Sequence, residues 1–223
     1  MEVIAQQIRK EFIRAGSQTN IFTAVAPCDF LIPAGQVTMI HGRSGSGKST
    51  MLNLLAGILH PTEGKVFYDG ADLYAMKDEK LSGFRNRHIG YVPQGRSAVF
   101  SLNVLENVML PYTLYEEDGR NAARRMLERF GIADLSEVMP DRLSGGELRR
   151  MAIARALVRK PEVIFADEPT GDLDDENTEA VLDSLCQLAR EGAAVLIVTH
   201  EEDAFAYADR IFAMNAGTLS QER

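Results

Sequence analysis

Tryptophan is absent from the 223 residues, and cysteine occurs only twice, at Cys28 and Cys186. Two thiols so far apart, with no paired ligand spacing, exclude a disulfide framework and a zinc knuckle. Both are expected to be buried and reduced. No run of about eighteen apolar residues occurs, so no segment reads as a membrane-spanning helix. The first residues, MEVIAQQIRKEFIRAG, scatter charges where a signal peptide needs an apolar core. The chain is therefore expected in the cytosol, and any work at a membrane needs a second polypeptide to supply the span. Excess positive charge is missing too. A net charge of −8 argues against a broad nucleic-acid footprint, though not against one phosphorylated ligand. Internal repeats, low-complexity tracts and linkers are lacking. A chain of this length, 45% hydrophobic and 25% charged, can bury a proper core and is expected to form a single domain over 1–223.

Short β-like runs recur along the chain: QVTMIH, KVFY, HIGYV, EVIFAD, AAVLIVTH and RIFAMN. QVTMIH, EVIFAD and AAVLIVTH are nearly unbroken apolar segments, the pattern of strands buried on both faces. Helical periodicity lies between them. Residues 48–59 place apolar side chains at 51, 52, 54, 55, 58 and 59. Residues 118–130 read as a charged amphipathic helix, and 145–158 as an Ala/Leu/Met-rich helix carrying several arginines. Another helix starts near Asp174, with acidic residues in its first turn and Gly192 just past its end. This alternation predicts an α/β fold with a doubly wound, mostly parallel sheet. The start differs: MEVIAQQIRKEF, IFTAVAPCDFLI and KVFYDG read as an N-terminal antiparallel β subdomain. Residues 95–139 are mostly helical and, with the helix start that follows, form a candidate helical subdomain over about 95–150.

The stretch GRSGSGKST, residues 42–50, is too rich in glycine and serine to build a core. Gly42, Gly47, Lys48 and Ser49 satisfy G-x-x-x-x-G-K-[ST] between a buried strand and a helix. Glycines let the backbone N–H groups of Arg43, Ser44, Gly45 and Ser46 turn inward on phosphate oxygens, and the helix start at Lys48, Ser49 and Thr50 adds a positive dipole end. Lys48 can reach the β- and γ-phosphates, and the Ser49 hydroxyl can ligate Mg²⁺. The loop is expected to hold a nucleoside triphosphate. In EVIFADEP, an apolar strand ends on Asp167, which can bind Mg²⁺ through water. Glu168 follows where it could deprotonate an attacking water. Alone, such a pair is more often a helix cap or a solvated turn; the upstream glycine loop reverses that weighting. A second anion site opens the helix ELRRMAIARALVRK, where Ser144, Gly145, Gly146 and Glu147 follow Leu143. One chain cannot easily fold both glycine-rich helix starts onto one triphosphate, but a second chain could present its copy.

With these motifs the sequence resembles the ATP-binding-cassette (ABC) ATPases over essentially its full length. LSGGE matches the family signature, Gln94 in YVPQ the glutamine loop, and ADEPT the strand-borne acidic pair. GDLD matches the family's D-loop, and His200 in VTH its switch histidine. The resemblance implies a P-loop NTPase core that hydrolyses ATP with Mg²⁺. Glu168 would be the base, and Ser49, Asp167 and Gln94 would lie around the metal. Lys48 and His200 would contact the γ-phosphate, and Gln94 would also sense the attacking water and the partner subunit. Ser144 and Gly146 would clasp ATP held by another copy, favouring a homodimer, with Asp172 and Asp174 crossing the interface. Phe12 would stack on adenine where the family more often has tyrosine. Leu148 replaces the glutamine that usually follows LSGGE, and Asp172 replaces an asparagine, yet no catalytic part is lost. His41, His60 and His88 match no motif and are expected in structural or surface roles.

LNVLENVMLP and ADEPTGDLD are similar to the bacterial branch serving lipoprotein release, macrolide and peptide export, antimicrobial-peptide resistance and cell division. That implies an integral membrane permease as partner, reached from the cytoplasmic face, with no direct contact to nucleic acid. The alternative is an ABC ATPase acting on nucleic acid or the ribosome. The interval from Lys48 to Ser144 is too short for the long coiled coil of repair and chromosome proteins, and only one cassette is present. A small-molecule P-loop kinase has no use for LSGGE, and a nonenzymatic module has none for Glu168.

Overall fold

The computed structural model describes residues 1–13, 21–95, 97–171 and 173–223. Strands β1 (Val3–Ile13), β2 (Ile21–Ile32), β4 (Glu63–Tyr68) and β5 (Ala71–Asp72) form an antiparallel sheet in the order β2-β1-β4-β5. The second sheet contains β3 (Val37–His41), β6 (Ile89–Val92), β7 (Val163–Asp167), β8 (Ala194–Thr199), β9 (Arg210–Asn215) and β10 (Thr218–Gln221), in the order β10-β9-β3-β8-β7-β6. All neighbours in it are parallel except β9 and β10.

Every residue of β7 and β8 is buried, and successive side chains face opposite cores, which explains the unbroken apolar sequences. Val163 and Phe165 of β7 face a core shared with the antiparallel sheet, whereas Ile164 and Ala166 face a second core made with helices. In β8 the same division separates Leu196 and Val198 from Val195 and Ile197. The first core is closed by α1 (Lys48–Leu55). This helix stops short of the periodicity that runs on to residue 59, because Gly57 takes a left-handed φ of 69° and Ile58 turns to solvent. The second core takes in α3 (Val104–Thr113), α4 (Arg120–Arg129), α5 (Gly145–Leu157) and α6 (Asp175–Arg190).

Two elements had no clear sequence signal. Helix α2 (Asp78–His88) buries only Leu81, so it lacks an apolar stripe; acidic residues at its start and basic ones at its end suit the helix dipole. Strand β10 is a short polar edge strand joined to β9 through Ala216 and Gly217, both at positive φ. Cys186 is buried, but Cys28 is only half-buried, a correction to the expectation of two buried thiols; both are free. Burial pushes the Cys28 thiol up to about 11, which keeps it protonated and unreactive. The three unassigned histidines have local roles. His41 meets Glu222 at 2.9 Å, His88 meets Glu162 at 2.8 Å, and His60 packs on Tyr74. Among the described residues, no helix is long and apolar enough to cross a membrane.

Candidate active site

Strand register brings the motifs together. His41 lies opposite Thr199, Val198 opposite Asp167, and Ala166 opposite Val92. One or two residues beyond these positions come Gly42, His200, Glu168 and Gln94, so segments remote in sequence emerge on one rim at the carboxyl ends of adjacent parallel strands. That rim is where open α/β sheets bind ligands. It carries a cleft of about 830 Å³.

The loop from Gly42 to Gly47 forms the cleft floor. Gly42 has φ 148° and Gly47 φ 110°. A Cβ at either position would come within 2.2 Å of a backbone oxygen, that of Met214 or Ala24 respectively, so the fold itself demands these glycines. The Lys48 ammonium donates to the carbonyls of Gly42 (2.7 Å) and Arg43 (3.2 Å), folded over the loop it would release on meeting phosphate. Arg43, Ser44, Gly45, Ser49 and Thr50 also line the cleft, while the buried Ser46 hydroxyl has no hydrogen-bond partner among the described residues.

At the start of α1 the Ser49 hydroxyl neighbours the Asp167 carboxyl and acts to lower its pKa. Burial raises the Asp167 pKa, opposed by the Ser49 hydroxyl and by the charges of Lys48 and Arg149. Asp167 Oδ1 is buried with no hydrogen-bond partner among the described residues. A hydroxyl beside an orphaned carboxylate oxygen suits a hard divalent cation such as Mg²⁺. No cluster of three or more His, Cys, Asp or Glu among the described residues could cage an ion alone. The donor set thus fits an ion that arrives with phosphate oxygens.

Glu168 is buried and adopts a left-handed φ of 49°. Its Oε2 lies 2.9 Å from His200 Nδ1, and this bond raises the His200 pKa above its ordinary value. Gln94 is exposed and lines the same cleft. At the mouth, Phe12 is 39% exposed, which places it in the cleft wall and not in the core. Phe22, its cross-strand partner, is 40% exposed and lines the cleft beside it. Sequence reasoning missed Phe22 because only the β1–β2 register sets it opposite Phe12.

The signature lies elsewhere. Ser144 caps α5 in a reciprocal box: its N–H and hydroxyl donate to Glu147 Oε2 at 2.7 and 2.8 Å, and its Oγ accepts from the Glu147 N–H. These bonds hold the Glu147 carboxyl below its ordinary pKa. Ser144, Gly146 and Glu147 do not line the phosphate cleft of their own chain. Gly145 lines a smaller adjoining cleft with Gln94, Glu168 and His200. Asp174 caps α6 by accepting from the Asn177 N–H, and Asp172 lies outside the described residues.

Residues 25–171 match the family described as ABC transporter. The chain is 35% identical over 222 residues to the lipoprotein-releasing system ATP-binding protein LolD of Idiomarina loihiensis, covering 98% of this chain and 96% of LolD. It is 39% identical over 198 residues to the macrolide export ATP-binding/permease protein MacB of Rhodopirellula baltica. That match covers 86% of this chain but only 29% of MacB. The fold is similar to the dimeric post-hydrolysis state of the ATP-binding cassette MJ0796 bound to ADP and Pi, with TM-score 0.90, 32% identity and 99% of each chain covered.

Proposed function

The chain belongs to the ABC transporter family and is an ATP-binding cassette ATPase; we propose that two copies of it drive a separate integral membrane permease. The observation that carries this reading is the division of the anion-binding parts. Lys48, Glu168 and His200 share one cleft, whereas Ser144 and Gly146 stand outside it. A second copy would bring its Ser144 and Gly146 to the γ-phosphate, making two equivalent sites in a symmetric dimer.

Within each site the residues divide the work. Lys48 leaves the Gly42 and Arg43 carbonyls to neutralise the β- and γ-phosphates, and backbone N–H groups of the loop hold their oxygens. Ser49, Asp167 and Gln94 would hold Mg²⁺, which supplies charge neutralisation on the phosphate oxygens. Glu168, with Oε2 bonded to His200, has Oε1 left to accept the proton of the attacking water. The water oxygen bonds to the γ-phosphorus while the bond to the ADP oxygen breaks, and ADP leaves with the electron pair. His200 contacts the γ-phosphate, and Phe12 stacks on the adenine.

The permease side rests on the stretch after Gln94. Val104, Leu105 and Val108 are core residues, but Phe100 and Leu114 are 55% and 68% exposed on the helical subdomain that Gln94 leads into. Such a surface suits an amphipathic segment of a membrane partner. Together with the likeness to lipoprotein-release and macrolide-export proteins, it favours an export or extraction machine working at the cytoplasmic face.

The test is Glu168→Gln. It should keep ATP bound and shift to dimer in light scattering while hydrolysis falls about 10²-fold or more. Hydrolysis at the wild-type rate would falsify the assignment of the base. For the partner, Phe100→Asp should spare ATP binding and abolish co-purification with the membrane subunit; full retention moves the docking surface elsewhere.

A further inference from the structure

We infer that Arg149 is a positioning residue whose guanidinium locks the loop of Gln94 to the turn of Glu168, so that both meet the nucleotide as one unit. The inference rests on the reading of Glu168 as the base. Arg149 opens the second turn of α5 and, though charged, is only 5% exposed. Its Nε donates to the Pro169 carbonyl at 2.8 Å, and its Nη2 to the carbonyls of Asp167 (3.0 Å) and Glu168. The other arm, Nη1, donates to the carbonyls of Pro93 (2.6 Å) and Gly95 (3.4 Å), which flank Gln94.

One planar fork therefore spans two loops that share no strand. Only arginine offers five N–H donors in a fixed array; a lysine ammonium could serve part of this set but not both arms. The backbone of Glu168 shows what the fork supports. A left-handed φ of 49° at a non-glycine residue persists only where neighbours over-determine it. Here the Glu168 N–H donates to the Val198 carbonyl at 2.8 Å, and its own carbonyl accepts from Arg149. The backbone is pinned on both sides of Glu168, so its carboxyl is aimed at the cleft. Because Ser144 caps α5, a shift of the signature helix also reaches Glu168 and Gln94 through this one side chain.

The experiment uses the full chain with Arg149→Lys and Arg149→Gln, measuring binding of a fluorescent ATP analogue, steady-state hydrolysis and the unfolding midpoint. Misplacing a reacting group by about 1 Å costs up to about a hundredfold, so kcat should fall about tenfold in Arg149→Lys and further in Arg149→Gln, with nucleotide affinity within about threefold of wild type. In a Glu168→Gln background, Arg149→Lys should lower the residual rate by clearly less than it lowers the wild-type rate, since the part of its effect that passes through the carboxylate is already lost. Wild-type turnover in Arg149→Lys, equal losses of binding and kcat, or multiplicative losses in the double variant would overturn the inference. If Arg149→Gln does not fold, Arg149→Lys decides; if neither folds, the arginine is a core clamp and the inference falls. Wild-type hydrolysis by Glu168→Gln alone would instead overturn the assignment of the base.

Discussion

Two glycine-bearing helix starts, at α1 and α5, look alike in sequence and differ in what requires their glycines. At α1 the requirement is internal: a side chain at Gly42 or Gly47 would strike a backbone oxygen of the same chain. At α5 a Cβ on Gly145 meets nothing within 4 Å among the described residues, and one on Gly146 meets among them only the Leu173 side chain at 3.5 Å. Neither has a positive φ, and alanine is the better helix former. The chain's own fold does not need these two glycines. The proposed dimer gives them a purpose, since a triphosphate on a second copy would approach this helix start closely. The caps point the same way. Lys48 is turned in on its own loop, while the Ser144 hydroxyl sits at the surface, satisfied by Glu147 alone.

The comparison can be broken at several points. The largest effect is expected from Lys48→Ala, which removes the ammonium folded over the α1 loop; turnover should fall about 10²- to 10³-fold, read by phosphate release. Next come the glycines. Gly47→Ala should destabilise the nucleotide-free chain by about 1–3 kcal/mol, lowering the calorimetric midpoint by about 2–4 °C for each kcal/mol. Gly146→Ala should leave that midpoint unchanged or slightly raised, yet abolish the ATP-dependent dimer in a Glu168→Gln background. If Gly146→Ala unfolds the free chain as Gly47→Ala does, the distinction between the two helix starts is lost.

The smallest effects are titrations of the nucleotide-free protein by NMR. His200 bonded to Glu168 should titrate above 6.5, and Glu168→Gln should return it toward that value. Since the folded-state pKa is the higher one, the stabilisation is complete below the ordinary pKa and disappears as pH rises through the raised value. Glu147 moves in the opposite sense. Its pKa lies below 4.5, so the stabilisation from its bonds with Ser144 is present above the ordinary value and disappears as pH falls through the lowered one. Ser144→Ala should bring Glu147 back to an ordinary titration. An unshifted Glu147 in the wild-type chain would show that the Ser144 cap is not closed in solution.

The sequence by itself determined the phosphate loop, the acidic pair after β7, the signature and the alternation of strands and helices. Each of these is contiguous, and its chemistry follows from glycine, a charged group and a flanking strand or helix within a few residues. Tertiary structure decided the rest. Helix α2 has no apolar stripe because it buries a single leucine, and β10 exists only as a partner for β9. Phe22 enters the cleft wall because the β1–β2 register sets it opposite Phe12. Arg149 sits among arginines of the same helix, and nothing in the local pattern marks it as the one that turns inward. It reaches backbone carbonyls on two loops, at Pro93 and Gly95 and at Asp167 to Pro169. A carbonyl has the same chemistry at every residue, so no side-chain pattern could announce it; only the packing of α5 against the ends of β6 and β7 brings those oxygens within reach of one guanidinium.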